Sequence, residues 1–370
     1  MLDDSIDRPD GVQQYVRSLE SYLTRVGHEV HIICSVSEST DPHVHSLARN
    51  AAVSFNGNSL KTPLPASRRA IRELLEREMF DVIHVQTPHS PFFAGRVVEE
   101  ARKLQARSVR IVATFVILPD SRVSAVATRG LGLLLRRNLR KFDAFAALTA
   151  PAAEFARESM GIESMVLPAA VDVAAFRAAV RVPRPPRAAG DKLVVGFLGR
   201  LVERKGVLEL LAALALLPGE LLDALDVRIG GRGPLLEDVQ KAVDEHGLGE
   251  LVTFAGFVTE EDKPQFLADC DVAVFPALGG ESFGIVLIEA MAAGAGVVLA
   301  GANPGYLAVI GDRAEVSVDA KDTSAFAAIL ERLLTDAALR AEIHAEQQVL
   351  VETFDVNVVG ERVMRELYIG

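Results

Sequence analysis

The chain has 370 residues, 49% hydrophobic and 24% charged, with mean hydropathy +0.24. This is enough apolar material for about two ordinary domains, and it excludes a disordered or low-complexity protein. Lys and Arg number 39 against 50 Asp and Glu, a net charge of −11, which excludes a general nucleic-acid binder.

In chain order, helical periodicity alternates with short β-rich runs. The first half predicts a helix over 13–26, a strand over 30–33, a helix over 66–77, a strand over 81–85 and a helix over 91–105. Strands over 110–115 and 144–148, a helix over 150–160 and a strand over 165–167 follow. Residues 181–191 (RVPRPPRAAGD) are proline-rich and aperiodic, and read as a linker. The second half predicts strands over 193–198, 227–229, 252–254, 272–275 and 297–299. Its helices fall over 206–216, 234–246, 264–268 and 282–293, and the tail is helical over 357–368. Nearly all-apolar strands separated by helices predict an α/β fold with parallel sheets covered on both faces. Two Rossmann-like, doubly wound domains are expected, facing across a cleft: 1–180, then 192–355 after the linker, with 356–370 as a terminal helix. One strand is unaccounted for. The chain opens MLDDSIDRPDGVQ, and Met1–Leu2 is too short for the central strand of the first sheet, so a truncated start or a sheet without its middle strand is expected.

Charge is split between the halves. Residues 1–190 hold 25 basic and 20 acidic side chains, +5, and residues 191–370 hold 14 and 30, −16. Either one half meets an anionic surface or substrate, or the charge is merely solvated. Cys34 and Cys270 cannot form a disulfide framework and fit a reducing, cytoplasmic compartment. Residues 1–10 carry four Asp and no apolar core, unlike a signal peptide. Residues 283–302 hold one charge, Glu289, over a membrane-spanning length, but Gly294, Gly296, Gly301 and the Val297-Val298 pair favour a buried helix–turn–strand.

Three clusters carry chemistry. In GGESFGIVLIEAMAAG (279–294), glycines ahead of a helix would offer the amides of Gly284, Ile285 and Val286 to a phosphate. Glu281 and Glu289 are eight residues apart and cannot stack on one helical face, so Glu281 is expected in the loop and Glu289 in the helix. In FLGRLVERKG (197–206), Arg200 and Lys205 follow a strand end and suit a diphosphate. In IGGRGP (229–234), glycines let backbone approach a nucleotide. No Asp-X-Asp or HEXXH pattern occurs and the eight histidines are scattered, so no metal is expected.

The order of these clusters, with AGFV between the last two and RPDGVQQYV near the start, resembles the retaining GT-B glycosyltransferases of family 4. The wording of 279–294 is similar to that of actinobacterial phosphatidylinositol mannosyltransferases. The resemblance runs from about residue 7 to residue 368, more specifically in the second half. It implies a nucleotide-sugar donor, GDP-mannose, as substrate and no obligatory cofactor. Arg200 and Lys205 would bind the diphosphate, Glu281 the sugar hydroxyls and Glu289 the ribose. Phe283 would lie in the donor loop, with the Gly284, Ile285 and Val286 amides on phosphate oxygens. Gly231, Arg232, Gly233, Gly256, Phe257 and Val258 would lie near the base. On the acceptor side the resemblance implies Gly11 and Gln13 in the glycine-rich loop, and His84 and His89 on the HVQTPH loop. The terminal helix would return to the first domain.

There are departures. Val116 stands where the family usually has a His contacting sugar and acceptor, and Pro168-Ala169-Ala170-Val171-Asp172 lacks the usual Asn-Gly. The expected activity is front-face transfer of a hexose to a lipid-linked or polyol acceptor such as phosphatidylinositol, with the diphosphate aiding deprotonation. The alternative is a nucleotide-sugar-binding protein with altered or lost transfer. Arg68, Arg69, Arg136, Arg137 and Arg140 either meet an anionic membrane at the inner face of the plasma membrane or decorate solvated helix faces.

Overall fold

In the computed structural model, apolar runs closed by Gly or Pro, such as Leu193–Leu198 and Val272–Phe275, become strands. It describes residues 1–3, 11–48, 50–55, 58–63, 65–86, 88, 93–104, 109–118, 130, 135–182, 190–311 and 313–370. The chain forms two units, Met1–Ala170 with Val356–Gly370, and Val171–Asp355.

The first unit contains β1 (Ile32–Cys34), β2 (Val44–Ser46), β3 (Asn50–Phe55), β4 (Asn58–Pro63), β5 (Val82–Val85), β6 (Arg110–Phe115), β7 (Ala144–Ala147) and β8 (Met165–Val166). β1 pairs with β2 in parallel, and β5, β6, β7 and β8 follow one another in a second parallel run. Leu2 joins the two runs. It bridges in parallel to Ile33 on one side and Val85 on the other. The Leu2 N–H donates to the His84 carbonyl at 2.8 Å, and the Gln86 N–H donates to the Leu2 carbonyl at 2.9 Å. The strand order is therefore β2-β1-Leu2-β5-β6-β7-β8, and the sheet has its middle strand after all, reduced to a few hydrogen bonds around one fully buried leucine. β3 and β4 form a separate antiparallel pair with Phe55 opposite Asn58. Asn56-Gly57 lies between these runs in the sequence, the dipeptide favoured by two-residue hairpins.

Helices Arg68–Glu78 and Ala94–Lys103 pack over this sheet, placing Ile71, Leu74, Val97 and Val98 in its core. Ser67 caps the first, its hydroxyl accepting from the Ala70 N–H. Between them sits the buried Glu100, which accepts from Arg72 Nε at 2.5 Å, from Lys103 Nζ at 3.1 Å and from Arg68. Arg68 also pairs with Glu99, and Arg69 with Glu73. Two of the five arginines expected to meet a membrane, Arg68 and Arg69, are thus paired within this helix pair.

Residues 356–370 belong to this first unit through specific contacts. Arg110 donates to the Leu367 carbonyl at 2.9 Å, and Tyr368 Oη lies 2.8 Å from His84 Nδ1. Gly360 lies against the Tyr22 ring, where a Cβ would collide. The other passage between the units falls at Ala170/Val171, ahead of the expected boundary at 180. Helix Val173–Ala179 belongs to the second unit: Val171 donates to the Phe354 carbonyl, and Arg177 pairs with Glu352 at 2.8 Å. The start of the expected linker is held there too, by Arg181–Asp262 at 2.5 Å; residues 183–189 lie outside the described residues.

The second unit contains β9 (Leu193–Leu198), β10 (Leu225–Gly230), β11 (Val252–Gly256), β12 (Val272–Phe275), β13 (Val297–Gly301) and β14 (Ser317–Val318). All are parallel, in the order β11-β10-β9-β12-β13-β14. The order reverses between β9 and β12, and in such sheets ligands bind beyond the carboxyl ends at that switch point. The apolar stretch 283–302 resolves into a loop, helix Ile285–Ala293 and β13. Among the described residues no helix is long and apolar enough to cross a membrane.

Glu100 supplies a test. Burial alone would raise its carboxyl, but hydrogen bonds from Arg72, Arg68 and Lys103 outweigh it and hold the group at about 2, below its ordinary 4.5. A depressed folded-state value means the stabilisation is full above about pH 4.5 and is lost as pH falls through about 2. Glu100→Ala is expected to lower unfolding free energy at pH 7 by about 2–3 kcal/mol and to flatten this acid limb, as read by urea titrations at stepped pH.

Candidate active site

The switch point is built from glycines. The loop after β9 runs through Gly199 and Arg200 into a 3₁₀ turn, Glu203–Lys205, which ends at Gly206 with φ 73°. A Cβ on Gly206 would collide with the Pro276 carbonyl, so only glycine lets this loop touch the loop after β12. The Leu278 N–H donates to the Arg204 carbonyl at 2.9 Å and ties the two together.

That contact brings three charged side chains together. Glu281, in the loop after β12, accepts from Lys205 Nζ at 2.8 Å and from Arg204. Glu281 is 12% exposed, Lys205 19% and Arg204 38%, so the cluster is half-desolvated at the rim of the switch point. Arg200, on the same loop, is exposed. Lys205 and Glu281 are both expected here from sequence; Arg204, one residue from Lys205 in ERKG, is an addition the structure makes.

Helix Ile285–Ala293 starts directly after the loop, with Gly284 at φ 97° packed over the Tyr306 ring. No side chain caps its first turn. Ile285 and Val286 lie in the first turn, where amides have no partner carbonyl within the helix, so they form an anion-accepting end. Phe283 turns away into the core, edge-on to Phe354 at 5.7 Å between ring centroids. It can offer a ligand only backbone.

The following strand and helix hold the loop in place. Asn303 Nδ2 donates to the Ala277 carbonyl at 3.1 Å, and its Oδ1 accepts from the Tyr306 N–H. Gly305 and Gly301 press on the Glu281 and Ala277 carbonyls, where a Cβ would collide. This support is not among the sequence expectations, although Asn303-Pro304-Gly305 carries a visible helix-start signal.

Glu289 lies in the helix with its side chain 5% exposed, and accepts from Lys263 Nζ at 2.9 Å. Lys263 also pairs with Glu260 at 2.6 Å. The partner that so apolar a setting demands is thus a lysine, itself buried, from another helix. Burial raises the Glu289 carboxyl, opposed by the Lys263 ammonium. Burial works to lower Lys263, but the Glu289 and Glu260 carboxylates outweigh it and keep it protonated.

The IGGRGP glycines meet protein backbone. Gly231, at φ 135°, lies against the Gly199 carbonyl and Gly233 against that of Leu201. Gly231 N–H donates to the Gly256 carbonyl at 2.6 Å, beside an irregularity in the β10–β11 register. These crossings fix the turn so that Arg232 lies over the exposed Phe257 ring, 5.7 Å from its centroid. Gly256 and Val258 flank that ring.

In the first unit, Gly11 opens helix Gly11–Arg25 and Gln13 is buried in its first turn. His84 requires a correction. It is an interior residue of β5, 2% exposed, with Nδ1 on Tyr368 Oη and Nε2 2.7 Å from Thr114 Oγ1. Burial pushes it down to about 3, so it is a neutral internal hydrogen-bonding group, not a loop contact. His89 lies outside the described residues. Arg136, Arg137 and Arg140 are exposed, while Leu135 and Leu139 of the same segment are buried.

Residues 9–175 match the family model "Glycosyltransferase Family 4", and residues 181–348 match "Glycosyl transferases group 1". The chain is 33% identical over 369 residues to phosphatidyl-myo-inositol mannosyltransferase of Mycolicibacterium smegmatis, covering 98% of this chain and 90% of that protein. The chain belongs to the family 4 glycosyltransferases. It is also 34% identical over 153 residues, 40% of each chain, to the GDP-mannose-dependent alpha-(1-6)-phosphatidylinositol monomannoside mannosyltransferase of the same organism. The crystal structure of Anabaena Alr3699/HepE in complex with UDP and glucose shares the fold, with a TM-score of 0.75 at 18% identity over 99% of this chain and 98% of that one. The expectation of a GT-B glycosyltransferase therefore stands, and the donor of such an enzyme is a nucleotide sugar.

The buried pair in this glycosyltransferase gives a second test. Lys263→Met strands Glu289 as an uncompensated buried charge and is expected to cost about 3–5 kcal/mol in urea unfolding. Adding Glu289→Gln should recover much of that loss, an outcome a double-mutant cycle reads directly.

Proposed function

We propose that this glycosyltransferase moves mannose from GDP-mannose to phosphatidylinositol or a closely related lipid-linked polyol, with retention at the sugar carbon. The observation that carries this reading is the near full-length likeness, at 33% identity, to a phosphatidyl-myo-inositol mannosyltransferase. GDP-mannose is taken from the printed name of the second mannosyltransferase relative.

In this reading the second unit holds the donor. As the glycosidic bond breaks, positive charge grows at the sugar and negative charge on the departing diphosphate. Lys205 and Arg200, with the Gly284, Ile285 and Val286 amides, stabilise that diphosphate. Lys205 is already held by Glu281, so little rearrangement is needed when the charge develops. Glu281 serves the sugar hydroxyls, and Glu289, fixed by Lys263, serves the ribose. Gly231–Gly233 and the Arg232–Phe257 stack flank the base with Gly256 and Val258. No carboxylate is assigned as a covalent nucleophile; the leaving diphosphate assists deprotonation of the acceptor on the same face. Gly11, Gln13 and His89 belong to the acceptor side. Arg136, Arg137 and Arg140 bring the enzyme to an anionic surface, peripherally on the inner face of the plasma membrane. Arg68 and Arg69 contribute less because carboxylates already pair them.

Radiolabelled GDP-mannose offered with phosphatidylinositol vesicles is expected to yield a mannosylated lipid. Lys205→Ala or Glu281→Gln should lower kcat/KM by ~10²–10³-fold. Transfer from UDP-glucose in preference would overturn the donor assignment. Tight binding of GDP-mannose with neither transfer nor hydrolysis would instead support a binding protein, the second reading motivated by Val116. Replacing Arg136, Arg137 and Arg140 by Glu should release the enzyme from vesicles containing anionic lipid. Co-sedimentation that is the same for wild type and variant would remove the membrane role.

A further inference from the structure

At the amino ends of β1 and β2, the ends away from the carboxyl-terminal crevice of the sheet, the fold gathers His31, His43 and His45 with Glu29 and Asp41. In sequence these belong to HEVH (28–31) and DPHVH (41–45), two of several scattered histidine segments. Parallel pairing of Ile32 with Val44 sets the two segments side by side. Glu29 Oε1 then lies 3.0 Å from His31 Nε2 and 3.8 Å from His43 Nε2, and the three ligand atoms all fall within 4.8 Å of one another. Around a tetrahedral cation with bonds of ~2.0–2.1 Å, neighbouring ligand atoms are separated by about 3.3 Å. The observed spacings bracket that value.

The outer contacts are arranged to present both imidazoles as ligands. His31 Nδ1 is 2.8 Å from His45 Nε2, and His43 Nδ1 is 3.4 Å from Asp41 Oδ1. A proton on each Nδ1 satisfies these partners and leaves each Nε2 lone pair facing Glu29, the pattern in which a second hydrogen bond fixes the tautomer of a metal-ligating histidine. We propose that Glu29, His31 and His43 form a binding site for a divalent transition cation of the zinc type, completed by water. Imidazole ligands favour Zn²⁺, Co²⁺ or Ni²⁺ over Mg²⁺ or Ca²⁺. A second grouping, His31 with His45 and Glu78, uses the opposite ring nitrogen. There the two imidazole nitrogens are in hydrogen-bond contact, closer than ligands around one cation, which makes His45 a positioning residue. The site fastens the edge strand β2 to β1 at the amino end of the sheet, so its role is structural.

Cobalt(II) alone, titrated into the chelator-stripped, tag-free full chain, is expected to develop visible ligand-field absorption saturating at one equivalent, displaced by Zn²⁺ but not by Mg²⁺. Glu29 and His43 are 75% and 50% exposed, so Glu29→Gln and His43→Ala should retain the wild-type circular dichroism. Each should weaken cobalt binding at least ~10-fold, and His45→Ala by ~10–100-fold, while the exposed His28→Ala leaves it unchanged. Absence of the absorption band, or unchanged affinity in His43→Ala, would overturn the site. Loss of binding in His45→Ala with Glu29→Gln silent would overturn the ligand set.

Discussion

The loop cluster of the second unit depends on the place where its strand order turns back, between β9 and β12. Neighbouring parallel strands send their connecting helices to opposite faces at that point, and the two loops are left without a helix between them. Glycine then decides how closely they approach. Gly206 against Pro276 and Gly305 against Glu281 are contacts of backbone with backbone, and any side chain would wedge the loops apart. The Lys205–Glu281 contact at 2.8 Å is a product of this closeness.

The electrostatics follow the same logic. The second half of the chain is strongly acidic, so a diphosphate would be repelled by its average field. Local pairing overcomes the average: Arg204 and Lys205 flank Glu281, and the adjacent helix end adds partial positive charge without adding a residue. Glu289 follows a different rule. Burial raises its carboxyl, and the buried Lys263 ammonium, shared with Glu260, opposes that rise. In the first half, Glu99 and Glu100 pair several of the arginines and lysines, which stay partly exposed.

What could be read from sequence was what is local in sequence. β9 and β12 are continuous apolar runs closed by Gly or Pro, and their limits follow from those boundaries. β14 is two residues long, and Leu2 pairs singly on each side, so neither leaves a periodic trace. Helices Pro304–Ile310, Thr323–Thr335 and Ala337–Glu352 went unnamed, although Asn303, Asp322 and Asp336 cap them. Within the site, Lys205 and Glu281 stood out because glycines surround each. Lys263 did not, being 26 residues from Glu289 and ordinary in its own neighbourhood. His84 was misread for the converse reason: a polar run after a short strand looked like a loop, while its ring is fastened to residues 30 and 284 positions away.

The composition of the first unit has a consequence for the order of synthesis. Residues 171–355 are contiguous, and all of their strands have been made before residue 356 emerges. The first unit must wait. Until the last segment is translated, His84 lacks Tyr368, Arg110 lacks the Leu367 carbonyl, and Tyr22 lacks the surface of Gly360. At ~5–20 residues per second, that interval is roughly ten to forty seconds. During it, a buried-to-be imidazole remains open to water. The half of the enzyme made first is therefore the half completed last.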